Sequence, residues 1–170
     1  LPTRRQRQMC IRDSRYSDFM MPLEGIRVLD LSRILAGPHA AQSLSDLGAD
    51  VIKVEAPWGD DSRTWGPPFQ KGFDGAEVAS YFLSCNRGKK IVFANLKNER
   101  EKVRSLMDTV DVVIENFKPG AFDRLLGPVD PDLIVCSISG YGQEGPRRDE
   151  PAFDLTMQAR SGIMLSLIHI

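Results

Sequence analysis

The sequence predicts an α/β fold in which helices flank a mostly parallel sheet. Short apolar runs rich in β-branched residues recur along the chain, and segments with apolar residues at helical spacing stand between them. The chain has 170 residues, of which 42% are hydrophobic, which suffices for one domain with a buried core. The chain is therefore predicted to form one domain in which strands alternate with helices, without internal repeats.

The apolar runs predict five strands. They span residues 26–31, 50–55, 90–96, 111–117 and 132–142. The first run, IRVLDL, and the second, DVIKVE, are separated by enough chain for the helix that a parallel crossover needs. Five strands that alternate with helices favour a parallel sheet.

Helices are predicted between these strands. The first begins at Pro38, because proline at the first helical position loses no hydrogen bond, and ends at Leu47 before the left-handed cap Gly48. Asn98 is predicted to cap a helix over 99–110, whose apolar residues recur at helical spacing. Shorter helices are predicted within 77–90, 118–127 and 151–162.

The segment 56–75 has neither helical nor strand periodicity and is rich in glycine, proline, aspartate and aromatic residues. Twenty such residues inside a compact domain are more often functional than idle. Asp60, Asp61 and Arg63 within it could bind a metal or pair with each other, although adjacent carboxylates in a loop are usually solvated.

Charge and cysteine content exclude several classes of protein. The net charge of −1 argues against a nucleic-acid-coating or membrane-surface protein, and no apolar run is long enough to cross a membrane. The three cysteines, Cys10, Cys85 and Cys136, share no metal-ligand spacing, and a reduced, cytoplasmic setting is the simpler interpretation. Cys85 and Cys136 are predicted to pack in apolar surroundings.

The charge is concentrated at the amino terminus. Residues 1–15 hold five arginines against Asp13, a local charge of +4, and subtracting +4 from −1 leaves −5 for the rest. We interpret residues 1–19 as a non-native or disordered arm and residues 165–170 as a non-native tail. Residues 20–164 are then the folded part.

Ligands of open parallel sheets bind beyond the carboxyl ends of the strands. After the first strand, the turn Ser32–Gly37 leads into a helix and could seat a phosphate there. The same residues equally suit a turn whose small side chains let the helix and the strand pack closely, without a ligand. The segment lacks the glycine pattern GxGxxG, which argues against a nicotinamide enzyme. Asp30, just before the turn, is interpreted as a cap of the following helix.

The loops after the fourth and fifth strands offer further ligand groups. Asn116 can hydrogen-bond a base or an amide, Phe117 offers a stacking face, and Lys118 and Arg124 supply charge for phosphate. A simple Pro-Gly turn with solvated charges is the alternative. The segment Ser139–Gly142 suits a loop that closes over a ligand, although turns use the same residues.

Taken together, the chain resembles the class III coenzyme A transferases, the group that includes formyl-CoA transferase, carnitine CoA-transferase and 2-methylacyl-CoA racemase. The resemblance runs from Pro22 to Met164. It is carried, in order, by PLEGIRVLDLSRILAGPHAAQSLSDLGADVIKVE, GDDSRTWGPPF, YFLSCNRGKK, DVVIENFKPGAFDRLL and ISGYGQEGPRRDEPAFDLTMQARSG. It implies that residues 20–164 are the N-terminal part of a large, Rossmann-like domain that is incomplete here.

The resemblance also implies an activity. Such enzymes move CoA between an acyl-CoA and a free carboxylic acid through an aspartyl-CoA thioester, with CoA as substrate and no permanently bound cofactor or metal. The nucleophilic aspartate is expected beyond Ile170, so no catalytic residue is assigned within the chain. Asp154 is interpreted as a helix-start residue that satisfies backbone N–H groups.

Alternatives to a transferase remain at this stage. Racemases of the group carry a histidine immediately before the aspartate equivalent to Asp154, whereas this chain has Phe153, which cannot move a proton. A transferase is therefore favoured over a racemase, and a non-catalytic CoA- or nucleotide-binding module is the third reading. For the full-length protein, the resemblance implies an interlocked homodimer and no nucleic-acid or membrane partner.

The resemblance implies ten CoA contacts at the strand ends. They are Leu35, Ala36, Ala94, Lys97, Asn116, Phe117, Lys118, Arg124, Gly140 and Tyr141. Relatives can carry lysine in place of Ser139, so that phosphate contact is not expected here.

Overall fold

A five-stranded, wholly parallel sheet forms the centre of the protein, in a computed structural model that describes residues 21–72 and 75–164. Its strands are β1 (Arg27–Asp30), β2 (Asp50–Glu55), β5 (Lys90–Phe93), β6 (Val112–Glu115) and β7 (Ile134–Ser137). They lie in the order β5-β2-β1-β6-β7. The predicted α/β fold is confirmed, and the proposed arm 1–19 and tail 165–170 lie outside the described residues.

Helices and a small hairpin complete the described chain. The helices are α1 (Ala36–Asp46), α2 (Ser80–Asn86), α3 (Arg100–Met107), α4 (Ala121–Leu126) and α5 (Asp154–Arg160). The segment after β2 forms a 3-10 turn at Asp61–Thr64 and then an antiparallel hairpin of β3 (Phe69–Lys71) and β4 (Glu77–Ala79).

Two predicted helix starts are wrong. The first helix begins at Ala36, so Pro38 is its third residue rather than its first. Proline is tolerated there because the first N–H groups of a helix have no partner within it. Asn98 does not cap α3, because Glu99 is the residue that precedes the helix, and the Glu99 carboxylate accepts a hydrogen bond from the Asn95 N–H at 2.8 Å.

Apolar side chains cover both faces of the sheet because successive residues of a strand point to opposite sides. On one face, Leu29 packs in a cluster with Val103 of α3 and Leu126 of α4. On the other face, Val28 packs with Ala41 of α1. The core therefore sits between the sheet and its helices, and the carboxyl ends of the strands are left for the loops.

The two edge strands are more exposed than the central ones. On β7, Ile134 is 62% exposed, and Cys136 is exposed as well, so the prediction that Cys136 packs in apolar surroundings is wrong. Cys85 is buried, as predicted. Between residues 21 and 164, leaving aside 73 and 74, we find no helix with the length and apolar character to span a bilayer.

Candidate functional site

The loops after the central strands begin side by side at one edge of the sheet. The Leu31 N–H donates to the Ile114 carbonyl at 2.8 Å, which continues the pairing of β1 with β6 past the end of β1. The Ala94 N–H donates to the Glu55 carbonyl at 2.8 Å, and the Ile138 N–H donates to the Glu115 carbonyl at 2.9 Å. The predicted candidate loops therefore share the carboxyl edge.

The loop after β1, residues Ser32–Leu35 and here named the β1 loop, is held by side chains from other elements. The Asn116 side chain accepts a hydrogen bond from the Arg33 N–H at 3.0 Å and donates one to the Arg33 carbonyl at 2.8 Å. Asp60 accepts from the Ile34 N–H at 3.3 Å. Ile34 has a φ of +74°, which is unfavourable for a β-branched residue.

Gly37 lets the helix approach this loop. A Cβ added to Gly37 would lie 2.2 Å from the Ser32 Cβ, so no other residue fits without displacing the loop. This contact supports the interpretation of Ser32–Gly37 as a close-packing turn. It leaves Leu35 and Ala36 exposed at the carboxyl edge.

Four buried charges lie beneath the β1 loop and are here named the buried quartet: Asp30, Lys53, Asp60 and Lys89. Their side chains are at most 1% exposed. The Lys53 Nζ lies 3.2 Å from Asp60 Oδ2 and 3.9 Å from Asp30 Oδ2, and the Lys89 Nζ lies 2.8 Å from Asp30 Oδ2. Two acids and two bases cancel, which makes burial of the four charges tolerable.

Asp30 belongs to this quartet and is not a helix cap, so that prediction is wrong. Its carboxylate accepts hydrogen bonds from the Ser32 N–H at 3.0 Å, from the Ser32 hydroxyl and from Lys89. Lys89 also donates to the Pro38 carbonyl at 2.8 Å and to Asn86 Oδ1 at 3.0 Å. The carboxylate therefore joins the β1 loop to the region around Lys89.

The pKa values of two quartet members reflect burial opposed by their partners. Burial raises the pKa of Asp60, but the hydrogen bonds from Ser62 and the charge of Lys53 outweigh it, so the pKa lies below the ordinary 3.8. Burial lowers the pKa of Lys89, and the neighbouring Asp30 carboxylate offsets only part of that decrease. Burial therefore disfavours the charged form of both groups, but it determines the direction of the net pKa shift only for Lys89.

We expect acid to destabilise the protein partly through Asp60. Its pKa is lower in the folded than in the unfolded chain, so its contribution is complete above about pH 4 and is lost as the pH falls further. Urea unfolding at pH 7, 5, 4 and 3 checks this expectation. Asp60→Asn, which cannot titrate, should lose less stability across the acid range, and an identical pH dependence in both proteins would contradict it.

The segment after β2 is fixed by Arg63. Its Nε lies 2.7 Å from Glu55 Oε2 and its Nη2 lies 2.9 Å from Glu55 Oε1, and its Cζ lies 3.9 Å from the ring centroid of Phe82. Arg63 therefore pairs with Glu55 rather than with Asp60 or Asp61. Among residues 21–72 and 75–164, no three His, Cys, Asp or Glu side chains are grouped to hold a metal ion.

The predicted contacts after β6 divide into structural and free groups. The amide oxygen and nitrogen of Asn116 are both bonded to Arg33, and Phe117 is half-buried against the core. Lys118 and Arg124 are exposed, and neither cation has a hydrogen bond or ion pair with any residue that the structure describes. These two cations are free to meet an anionic ligand.

The two predicted CoA contacts after β5 differ in their exposure to solvent. Ala94 is 2% exposed and packs in the core, so its side chain offers no surface to a ligand, and a contact there stays a prediction. Lys97 is exposed, with no partner for its ammonium group in the described ranges. It lies beyond β5, three strands from β6, which corresponds to about 14 Å at the usual strand spacing.

The segment after β7 packs against the chain that follows it. A Cβ on Gly140 would lie 1.8 Å from that of Ala152, so only glycine fits. The Tyr141 hydroxyl accepts a hydrogen bond from Arg160 at 2.6 Å. The buried hydroxyl oxygen of Ser139 has no partner within the described part of the chain.

Asp154 does not cap α5 in the way predicted. It is the first residue of the helix, and its carboxylate accepts a hydrogen bond from the Gln158 side chain at 2.6 Å rather than from the backbone. Phe153, immediately before it, is 70% exposed.

The sequence interpretation missed Lys53, Lys89 and Glu55. The one available signal was a charged residue inside an apolar strand, as in DVIKVE, because a lysine in a buried strand requires an acidic partner. The partners themselves come from distant segments, so the sequence could not identify them.

Comparison of the sequence with models of protein families identifies the family of this chain. The family model described as CoA-transferase family III matches residues 23–167. The chain belongs to that family. The resemblance to class III coenzyme A transferases is therefore confirmed.

Characterised relatives and solved structures of this CoA-transferase family agree. The chain is 49% identical over 153 residues to succinate–glutarate CoA-transferase of Agrobacterium fabrum, covering 84% of this chain and 38% of the relative. It is 42% identical over 154 residues to acetyl-CoA:oxalate CoA-transferase of Acetobacter aceti, covering 85% and 38%. A CAIB/BAIF family protein from Brucella suis has a TM-score of 0.80 and 50% identity, covering 85% of this chain and 40% of that one. The chain thus spans about two fifths of the length of these relatives.

Proposed function

We propose that this chain is the CoA-holding part of a CoA transferase, which moves CoA between an acyl-CoA and a free carboxylic acid. The observation that carries the proposal is the set of cations at the carboxyl edge that have no partner in the described residues: Lys97, Lys118 and Arg124. CoA carries several phosphate groups, and exposed cations beside a fixed backbone loop suit their recognition.

The position of the cations supports an extended ligand. Lys118 and Arg124 follow β6, whereas Lys97 follows β5, with β1 and β2 between them. The β1 loop lies in that interval and presents the exposed Leu35 to an apolar part of the ligand. A nucleotide with a long pantetheine arm can contact all of these groups at once, which a small anion cannot.

The reaction that we propose exchanges CoA between two carboxylic acids through a series of acyl transfers. An aspartate carboxylate attacks the acyl-CoA thioester, forms a mixed anhydride and expels CoA thiolate, which then attacks the aspartyl carbonyl and releases the donor acid. The acceptor carboxylate next attacks this enzyme thioester, and the returning thiolate takes the acceptor acyl group and frees the aspartate. We place that aspartate beyond Ile170, so this chain contributes binding and orientation rather than the nucleophile.

Relatives suggest the class of acid. One of the two transferases cited above is named for succinate and glutarate and the other for acetyl-CoA and oxalate, and succinate, glutarate and oxalate are dicarboxylates. We therefore propose a dicarboxylic acid as acceptor. We also propose a homodimer and a cytoplasmic location for the full-length protein; the free thiols of Cys85 and Cys136 are compatible with a reducing compartment.

Calorimetric titration of the chain with CoA, 3′-dephospho-CoA and NADH tests the binding proposal. We expect CoA to bind, dephospho-CoA to bind about tenfold more weakly because one charge-assisted contact is lost, and NADH not to bind. Binding of NADH with an affinity equal to that of CoA would favour a general nucleotide-binding module instead.

Activity is tested in the longest natural protein that contains residues 20–164. Succinyl-CoA and glutarate should yield glutaryl-CoA and succinate, followed by mass spectrometry. Exchange of the α-proton of a 2-methylacyl-CoA in heavy water, without CoA transfer, would support the racemase alternative and contradict the proposal.

A further inference from the structure

The β1 loop adopts a conformation that its own sequence disfavours. Ile34 is β-branched and exposed, yet its φ of +74° lies in the left-handed region that favours glycine. Such a conformation persists only when surrounding groups enforce it. The residues that enforce it are therefore part of the site, even where they do not reach the surface.

Lys53 occupies the central position among those groups. Its fully buried ammonium group donates to the Ser32 carbonyl at 2.8 Å and lies 3.2 Å from Asp60 Oδ2. That same carboxylate oxygen accepts from the Ile34 N–H. Lys53 thus contacts the loop directly at Ser32 and indirectly at Ile34, through Asp60.

We propose that Lys53 is a positioning residue, which fixes the β1 loop in the conformation that presents Leu35 to CoA. The part that concerns CoA rests on the proposed function, whereas the part that concerns the loop conformation does not. An apolar residue of the same length would fill the space without supplying a donor to Ser32.

Charge balance and positioning can be separated by two substitutions. Lys53→Met leaves the buried quartet with two carboxylates and one ammonium group, so it combines an electrostatic defect with the loss of the bond to Ser32. Adding Asp60→Asn restores a neutral set of Asp30 and Lys89. The double variant still lacks a donor to the Ser32 carbonyl, whereas the amide oxygen at position 60 can still accept from the Ile34 N–H, so the loop loses the support that Lys53 gives directly.

The experiment compares wild type, Lys53→Met and the double variant in the full chain. Unfolding in urea measures stability, hydrogen exchange of residues 32–36 by mass spectrometry measures loop order, and calorimetry measures CoA binding. We expect Lys53→Met to lose stability and the double variant to recover much of it. In the double variant, exchange of the loop should remain faster and CoA binding weaker by about tenfold, the effect of one lost hydrogen bond to a charged group.

A purely structural role predicts something different, because stability, loop exchange and CoA affinity would then return together in the double variant. That result would overturn the inference. If Lys53→Met does not fold, the double variant still decides between the two outcomes. If wild type binds no CoA, the proposed function fails, and the loop exchange alone then supports or overturns the role of Lys53.

Discussion

Replacing Lys118 and Arg124 together with alanine is expected to weaken CoA binding by about two to four orders of magnitude while leaving thermal stability unchanged. Each substitution removes a charge-assisted contact with CoA that contributes ~1.5–3 kcal/mol to binding, and a tenfold change in affinity corresponds to about 1.4 kcal/mol. Stability should not change because both side chains are exposed and unpaired within the described ranges. Calorimetry and a thermal melt measure the two effects.

The matched control is the double variant Arg87→Ala/Lys90→Ala. It also removes one arginine and one lysine, but Arg87 precedes β5 and Lys90 is the first residue of that strand, at the opposite edge of the sheet. The two side chains are paired with Asp46 and Asp50. Exposed pairs of this kind contribute little to stability, and their distance from the carboxyl edge should leave CoA binding intact. Equal losses of affinity in the two double variants would mean that only net charge matters, which contradicts a defined site.

The substitution Leu29→Ala is expected to destabilise the protein by ~2–5 kcal/mol, because it removes buried methyl groups and leaves a cavity. Leu29 is 0% exposed and lies on β1, the middle strand of the sheet, between Ile52 and Val113. The free energy of unfolding in urea measures the loss. Leu47→Ala makes the same deletion at a residue that is 45% exposed, and we expect a loss of about 0.5 kcal/mol there. Similar losses at both positions would contradict the assignment of Leu29 to the core.

The backbone framework could be predicted because its signals are local. Runs such as IRVLDL and DVIKVE are rich in Val, Ile and Leu, and burial on both faces of a parallel sheet favours that composition. The boundary at Pro38 was less well determined, since a proline fits anywhere in the first turn of a helix. Strand existence therefore followed from sequence, whereas the exact start of α1 did not.

The site could be predicted only to the level of its loops. The polarity of Asn116 suggested a ligand contact, but its side chain is bonded to the backbone of Arg33, which is 83 positions away in the chain. The pairing of Asp30 with Lys89 spans 59 positions. Contacts of this range depend on how the loops meet after the sheet has formed, and neither periodicity nor composition encodes that meeting.

The neutral buried quartet also restricts how this sequence can drift during evolution. Loss of one member leaves an uncompensated charge in a buried site, so we expect a single replacement at Lys53 or Asp60 to be selected against. Related sequences are therefore expected either to retain all four ionisable side chains or to exchange an acid and a base together. Covariation of positions 53 and 60 across an alignment would carry the signature of that constraint.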